Sequence, residues 1–162
     1  MAQKKNLTQL SNELTYHRYM MNHKHVAGLF KDITIPEYIA LQHIARSISG
    51  NGNNLARTYL KDIAEELEIS IAQASRTVRN LRDRGLVSWE HDGNGSDGTY
   101  VTITASGMLL MEKQQGIIKN YYSRVIKTFG EDRLNSLLQL MTELENAMEC
   151  ELNSKGDVVN DG

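Results

Sequence analysis

Two spacings of apolar residues divide this chain. Steps of three and four, the mark of helices, fill most of it, and between Leu86 and Thr104 they give way to alternation, the mark of strands. Leu7, Leu10, Leu14 and Met21 predict a first helix from Leu7 to about Lys31. A second is predicted after Thr34 as N-cap, with Pro36 in its first turn and Glu37 at the third helical position. Its apolar stripe is Tyr38, Leu41, Ile44, Ala45 and Ile48, and the polar loop Gly50-Asn51-Gly52-Asn53-Asn54 ends it. A short helix then carries Leu60, Ile63, Ala64 and Leu67 on one face.

The next helix is the most legible. Ser70 followed by Gln73 three residues on is a capping box: the hydroxyl accepts from the Gln73 N–H while the Gln side chain reaches back. Ile71, Ala74, Val78 and Leu81 form a 3-4-3 stripe that predicts one buried face, and Gly85 suits a left-handed C′ position. Leu86 to Glu90 and Tyr100 to Thr104 read as strands around the Gly-rich tip His91 to Gly98. A long helix from about Ala105 to Thr128 follows, capped by Thr104 and bearing Met108, Leu109, Met111, Ile117, Ile118, Tyr121, Val125 and Phe129. Gly130 breaks the chain. The last predicted helix, about Glu131 to Leu152, sets Leu134, Leu137, Met141, Leu144 and Met148 on a heptad seam. Residues 153–162 are polar and are expected to be disordered.

Helix, turn, helix, hairpin is an order with chemical meaning. Residues 71 to 84 hold four arginines against one aspartate. An α-helix fits the major groove of DNA, where each base pair shows its own donor and acceptor pattern. Arginine can engage both acceptors of guanine, and Gln or Asn can pair twice with adenine. Gln73 and Arg76 lie near the helix N-terminus, where recognition helices meet bases. Arg79, Arg82 and Arg84 lie further along and suit phosphates or acidic side chains. The hairpin behind the helix then reads as a wing whose tip reaches phosphates or the minor groove.

At this point the text YLKDIAEELEISIAQASRTVRNLRDRGLVSWEHDGNGSDGTYVTITASG resembles the MarR family of bacterial regulators. The resemblance is carried by Arg-Gly-Leu-Val ending at Val87, by Asp97 in the wing, by Thr104-x-x-Gly107 opening the next helix, and by the order of flanking helices over roughly residues 6–150. It implies a mainly α fold: a winged helix-turn-helix core of about 55–104, flanked by dimerisation helices of about 6–31 and 105–152, in a single domain of 1–152. It also implies a homodimer on a pseudo-palindromic operator, acting as a repressor that releases double-stranded DNA when a small molecule, metal or oxidant is sensed. Ser70, Gln73, Ser75, Arg76, Thr77, Arg79, Asn80, Arg84, Asn94, Asp97 and Gly98 are the expected DNA-facing residues. One departure stands out: such wings carry Asp-x-Arg, and here Thr99 occupies the arginine position. A weaker electrostatic contribution from the wing follows.

Composition refines this picture. At 162 residues one core is the default, and no apolar run approaches membrane-spanning length. A cytoplasmic location follows as the default, with no membrane partner. Net charge is −2, which alone disfavours nucleic acid, but its distribution does not. Six acids against Lys155 lie in residues 143 to 162, far along the chain from the arginines of residues 71 to 84. Screening over about 8 Å lets a local basic patch act by itself.

Sensing is less legible. Tyr16, Tyr19, Met20, His23, His43, Met108 and Met111 suit an aromatic and Met-lined effector crevice, and equally suit plain core packing. Glu13 and His17 share metal-ligand spacing, yet no Cys is near them, so no metal or other cofactor is expected. Cys150 lies between Glu149 and Glu151, which disfavour its thiolate. No phosphate-binding, nucleophile-elbow or dinucleotide motif is present, so an enzyme is not expected. The competing class is a winged-helix protein-interaction module without sequence-specific DNA binding.

Overall fold

The computed structural model describes residues 4–24, 28–49, 57–93 and 98–156. Among the described residues, six helices and three short strands follow one another as α1 (Leu7–Lys24), α2 (Ile35–Ser49), β1 (Thr58–Tyr59), α3 (Leu60–Leu67), α4 (Ile71–Asp83), β2 (Val87–His91), β3 (Thr99–Ile103), α5 (Ala105–Phe129) and α6 (Glu131–Gly156). The fold is mainly α with a three-stranded antiparallel sheet of order β1-β3-β2. Contacts divide the chain into two units, residues 1–117 and 118–162, with the boundary inside α5.

The first unit holds the core. Leu41 and Ile44 of α2, Ile63 of α3, Ala74, Val78 and Leu81 of α4, and Val101 of β3 are almost completely buried. These are the stripes predicted from spacing: α2, α3 and α4 each turn one apolar face inward, and the sheet closes against them. Burying a Leu or Ile side chain contributes about 1.5–3 kcal/mol, so this cluster dominates the stability of the unit.

Helix ends follow the polar signals. Thr34 N–H and hydroxyl donate to Glu37 Oε2 at 2.9 and 3.0 Å. Ser70 N–H donates to Gln73 Oε1 at 3.0 Å, and Gln73 N–H donates to Ser70 Oγ at 3.2 Å, so the expected capping box forms. Thr104 caps α5, accepting from Gly107 N–H at 3.1 Å while its own hydroxyl donates to the Gly85 carbonyl at 2.7 Å. Gly85 has φ +71°, the left-handed conformation its place required. The turn between α3 and α4 uses Glu68 at φ 52°, a left-handed position filled without glycine. Its N–H donates to the Glu65 carbonyl at 3.1 Å and Ile69 N–H to the Ala64 carbonyl at 3.0 Å, which offsets the steric cost.

Several expectations are corrected. The first helix is described to Lys24 rather than Lys31; Gly28 and Leu29 form a turn, and Lys31 to Ile33 a bend. The last helix continues past Leu152 to Gly156. Ile71 was placed on the buried stripe but is 59 % exposed. It is the first residue of α4, and side chains tilt toward a helix N-terminus, so Ile71 projects beyond the packed turns. The strands run one residue off their predicted limits, and β1 was not anticipated. At two residues it has no periodicity to read.

In the second unit residues 131–154 of α6 are exposed apart from the half-buried Leu134 and Met141. In the first unit, every described α1 side chain is exposed except the half-buried Met20. No helix among the described residues is long and apolar enough to cross a membrane.

Candidate nucleic-acid interface

α4 has two chemically opposite faces. Ala74, Val78 and Leu81 are buried, whereas Gln73, Arg76, Arg79 and Asn80 are exposed on the other side. Ser75 and Thr77 flank them, half-buried, and the Thr77 hydroxyl donates to the Gln73 carbonyl at 3.1 Å. The buried face fixes the helix and leaves the polar row rigid and solvated.

The arginines divide into two kinds. Arg76 and Arg79 have no ion-pair partner among the described residues. Arg82 donates to Asp83 Oδ1 at 2.9 Å and lies over the Trp89 ring at 5.3 Å. Arg84 sits 3.4 Å from the largely buried Glu37 carboxylate and also donates to the Asp32 carbonyl oxygen. Lys113 donates to the Asp32 carboxylate at 2.8 Å, which holds that carboxyl below its ordinary range. Arg84 therefore ties the end of α4 to the start of α2, and its charge is largely satisfied inside the protein. Spacing alone left Arg82 and Arg84 between phosphates and acids; in the structure both meet acids.

Gln73 carries a constraint of its own. Its side-chain oxygen accepts from both the N–H and the hydroxyl of Ser70, at 3.0 Å each. A bidentate pair with adenine needs that oxygen as well as the amide N–H groups. While the cap is closed, Gln73 offers donors only.

The wing is a regular ladder from Val87↔Ile103 to His91↔Thr99, continued by a backbone bond from Asp92 N–H to the Gly98 carbonyl at 2.9 Å. Gly98 is buried; Asn94 and Asp97 lie outside the described residues. Thr99, at the position where the resemblance placed an arginine, is 4 % exposed, and its hydroxyl is 3.0 Å from His91 Nδ1. Sequence reasoning missed the ring and ion network on one face of this sheet. Tyr59 pairs with Tyr100 across the strands, with rings 6.3 Å apart, and Arg57 lies over the Tyr100 ring at 4.5 Å. Tyr59 donates to Asp92 Oδ2 at 3.1 Å and Tyr100 to Glu90 Oε2 at 2.6 Å. The latter bond holds the Tyr100 hydroxyl above its ordinary range, because its proton is needed there. The alternation of Tyr100, Thr102 and Thr104 with Val101 and Ile103 was visible, but only the register joins the tyrosines to their acids.

Gly107 explains the Thr104-x-x-Gly107 pattern. A Cβ there would lie 2.0 Å from the Leu86 carbonyl oxygen and 2.9 Å from Ile103 Cγ1. Thr104 N–H donates to that same carbonyl at 3.1 Å. The start of α5 thus lies directly against the root of the wing.

The residues expected around an effector differ in exposure. Tyr16 and Tyr19 are 58 % and 56 % exposed; Met20, Met108 and Met111 are half-buried, and the side chain of His23 lies outside the described set. His43 turns to α3, its Nδ1 3.3 Å from Glu66. An open groove of about 520 Å3 lies in the second unit, lined by Tyr121, Arg124, Val125, Thr128, Phe129 and Arg133, none of them among the expected residues.

Comparison with protein-family models and with curated protein sequences found no match. A mutant of MarR from E. coli complexed with operator DNA aligns with TM-score 0.68 at 18 % identity, over 86 % of this chain and 99 % of that one. BpsR of Bordetella bronchiseptica, whose DNA binding is regulated by 6-hydroxynicotinic acid, aligns with TM-score 0.64 at 14 % identity, over 89 % and 99 %. The PcaV transcriptional regulator of Streptomyces coelicolor, in complex with its natural ligand, aligns with TM-score 0.63 at 15 % identity, over 91 % and 99 %. With six helices and a small antiparallel sheet among the described residues, and nearly full-length alignment to these proteins, the chain has the winged-helix fold of the MarR-family regulators.

Proposed function

We propose that this protein is a MarR-type, sequence-specific DNA-binding transcriptional regulator. The observation that carries the reading is the exposed row of Gln73, Arg76, Arg79 and Asn80 on a helix locked by Ala74, Val78 and Leu81. Arg76 and Arg79, without an acidic partner among the described residues, are cations available to guanine or phosphate. A non-enzymatic role fits this surface: it offers donors and charge for recognition.

The working form in this reading is a homodimer in the cytoplasm that occupies a pseudo-palindromic operator as a repressor. Its support is the apolar surface left open in both units. Leu7, Leu10 and Leu14 of α1 are 45–81 % exposed, and Leu137, Leu144 and Met148 of the α6 seam are 39–40 % exposed. Side chains of that size, in helical register, call for a partner helix. Two copies related by a two-fold axis place two α4 helices on inverted half-sites about 10 bp apart. Release by a small effector draws support from BpsR and PcaV, whose structures concern a regulating or natural ligand.

Selection from a random DNA pool, followed by binding of the winners across a salt series, tests the reading. An enriched inverted repeat bound far more tightly than random DNA is the expected result. Weak, sequence-blind binding would instead make this a protein-docking winged helix.

A further inference from the structure

From Leu86 to Thr104 the chain contains no Lys and no Arg. Its acids are Glu90, Asp92 and Asp97, and His91 is its one basic side chain. A wing that approaches a polyanion with this composition has a single side chain able to bring a positive charge to a phosphate, and its other ring N–H, on Trp89, is buried. His91 closes the strand ladder opposite Thr99, at the end nearest the tip, and its side chain is exposed. Thr99 beneath it is buried, and its hydroxyl lies 3.0 Å from Nδ1.

That contact makes the imidazole directional. When the Thr99 hydroxyl donates to Nδ1, the ring proton is confined to Nε2, the nitrogen away from the ladder. A neutral His91 then presents an outward N–H donor, and a protonated one adds a full charge. Glu90 accepts from Tyr100 and Asp92 from Tyr59. Tyr59, Tyr100 and Glu90 stand opposite one another in register, on the face of the sheet away from His91.

We propose that His91, oriented by Thr99, is a DNA-contacting side chain of the wing, donating through Nε2 to a phosphate oxygen or to a minor-groove base acceptor. The inference rests on the DNA-binding reading above and assigns to His91 a role that no residue of the α4 row can fill.

The test uses the full chain and an operator recovered by selection, with affinity measured across a salt series. His91→Ala is expected to weaken operator binding about five- to tenfold, the loss of one hydrogen bond near a charged acceptor. His91→Arg is expected to restore affinity and to steepen the salt dependence by about 0.9 in the log–log slope, one phosphate contact. Thr99→Val keeps the branched shape and removes the hydroxyl; an intermediate loss is expected, with thermal unfolding as the control for folding. Unchanged affinity and slope in both His91 variants would overturn the assignment while leaving the regulator reading intact. Wild-type protein that selects no sequence would overturn both.

Discussion

Arg76 and Arg84 stand eight residues apart on and beside one helix, and the structure gives them opposite work. Arg76 is exposed without an ion partner among the described residues; Arg84 faces Glu37 and the Asp32 carbonyl. In the DNA-binding reading, Arg76→Ala should cost roughly 1–3 kcal/mol of operator discrimination and relax preference at one base pair, with folding unchanged. Arg84→Ala should show the reverse pattern. It should lower stability by about 1 kcal/mol, discounted for the partial exposure of the pair, and leave the affinity of folded protein for operator largely intact. Urea unfolding beside operator titration separates them. If Arg84→Ala lost operator binding with stability unchanged, its assignment as an internal tie would be wrong. Arginine identity was plain in the sequence. Which arginines meet acids was not, because Glu37 lies 47 residues from Arg84 and spacing reports only neighbours within a helix.

Among the elements, α4 was the most legible, since its cap, apolar stripe and terminating glycine are all local signals. Removing the cap should be felt directly: Ser70→Ala is expected to cost about 1 kcal/mol in thermal or urea unfolding. The same change frees the Gln73 oxygen, so any remodelling of base preference in the pool selection would report how far the closed cap limits that side chain. The contact between α5 and the wing root is less forgiving. Gly107→Ala drives a Cβ to 2.0 Å from a backbone oxygen, which cannot swing aside as a side chain would. A loss of roughly 1–3 kcal/mol or more is expected from that overpacking. A variant as stable as wild type would mean that α5 can lift from Leu86 at no cost. The elements that sequence reading misjudged are those without a period. β1 is two residues long, and Glu68 takes a left-handed turn that glycine would have announced.

At the scale of the whole molecule, α1 and α6 expose leucines at helical spacing, and the proposed homodimer would bury them. The dimer reading predicts that Leu137→Glu with Leu144→Glu converts the protein to monomer in sedimentation. It also predicts a large loss of operator affinity, because two half-sites must be bound together. The first unit, whose core lies in α2, α3, α4 and the sheet, should keep its helical signal. A wild-type chain that sediments as monomer at micromolar concentration, or a double variant that stays dimeric, would refute the assignment of this seam.

The amino-acid sequence by itself determined the helices with their caps, the buried faces of α2, α3 and α4, the hairpin and the polar row of Gln73, Arg76, Arg79 and Asn80. Each of these rests on a period or a capping pattern written within a few residues of chain. Only the tertiary structure decided that Ile71 is exposed, that Arg84 and Glu37 meet, that Tyr59, Tyr100 and their acids form one network, and that Thr99 is buried beneath His91. Those outcomes depend on strand register and on contacts between residues far apart in the chain, and the local sequence carries no record of either.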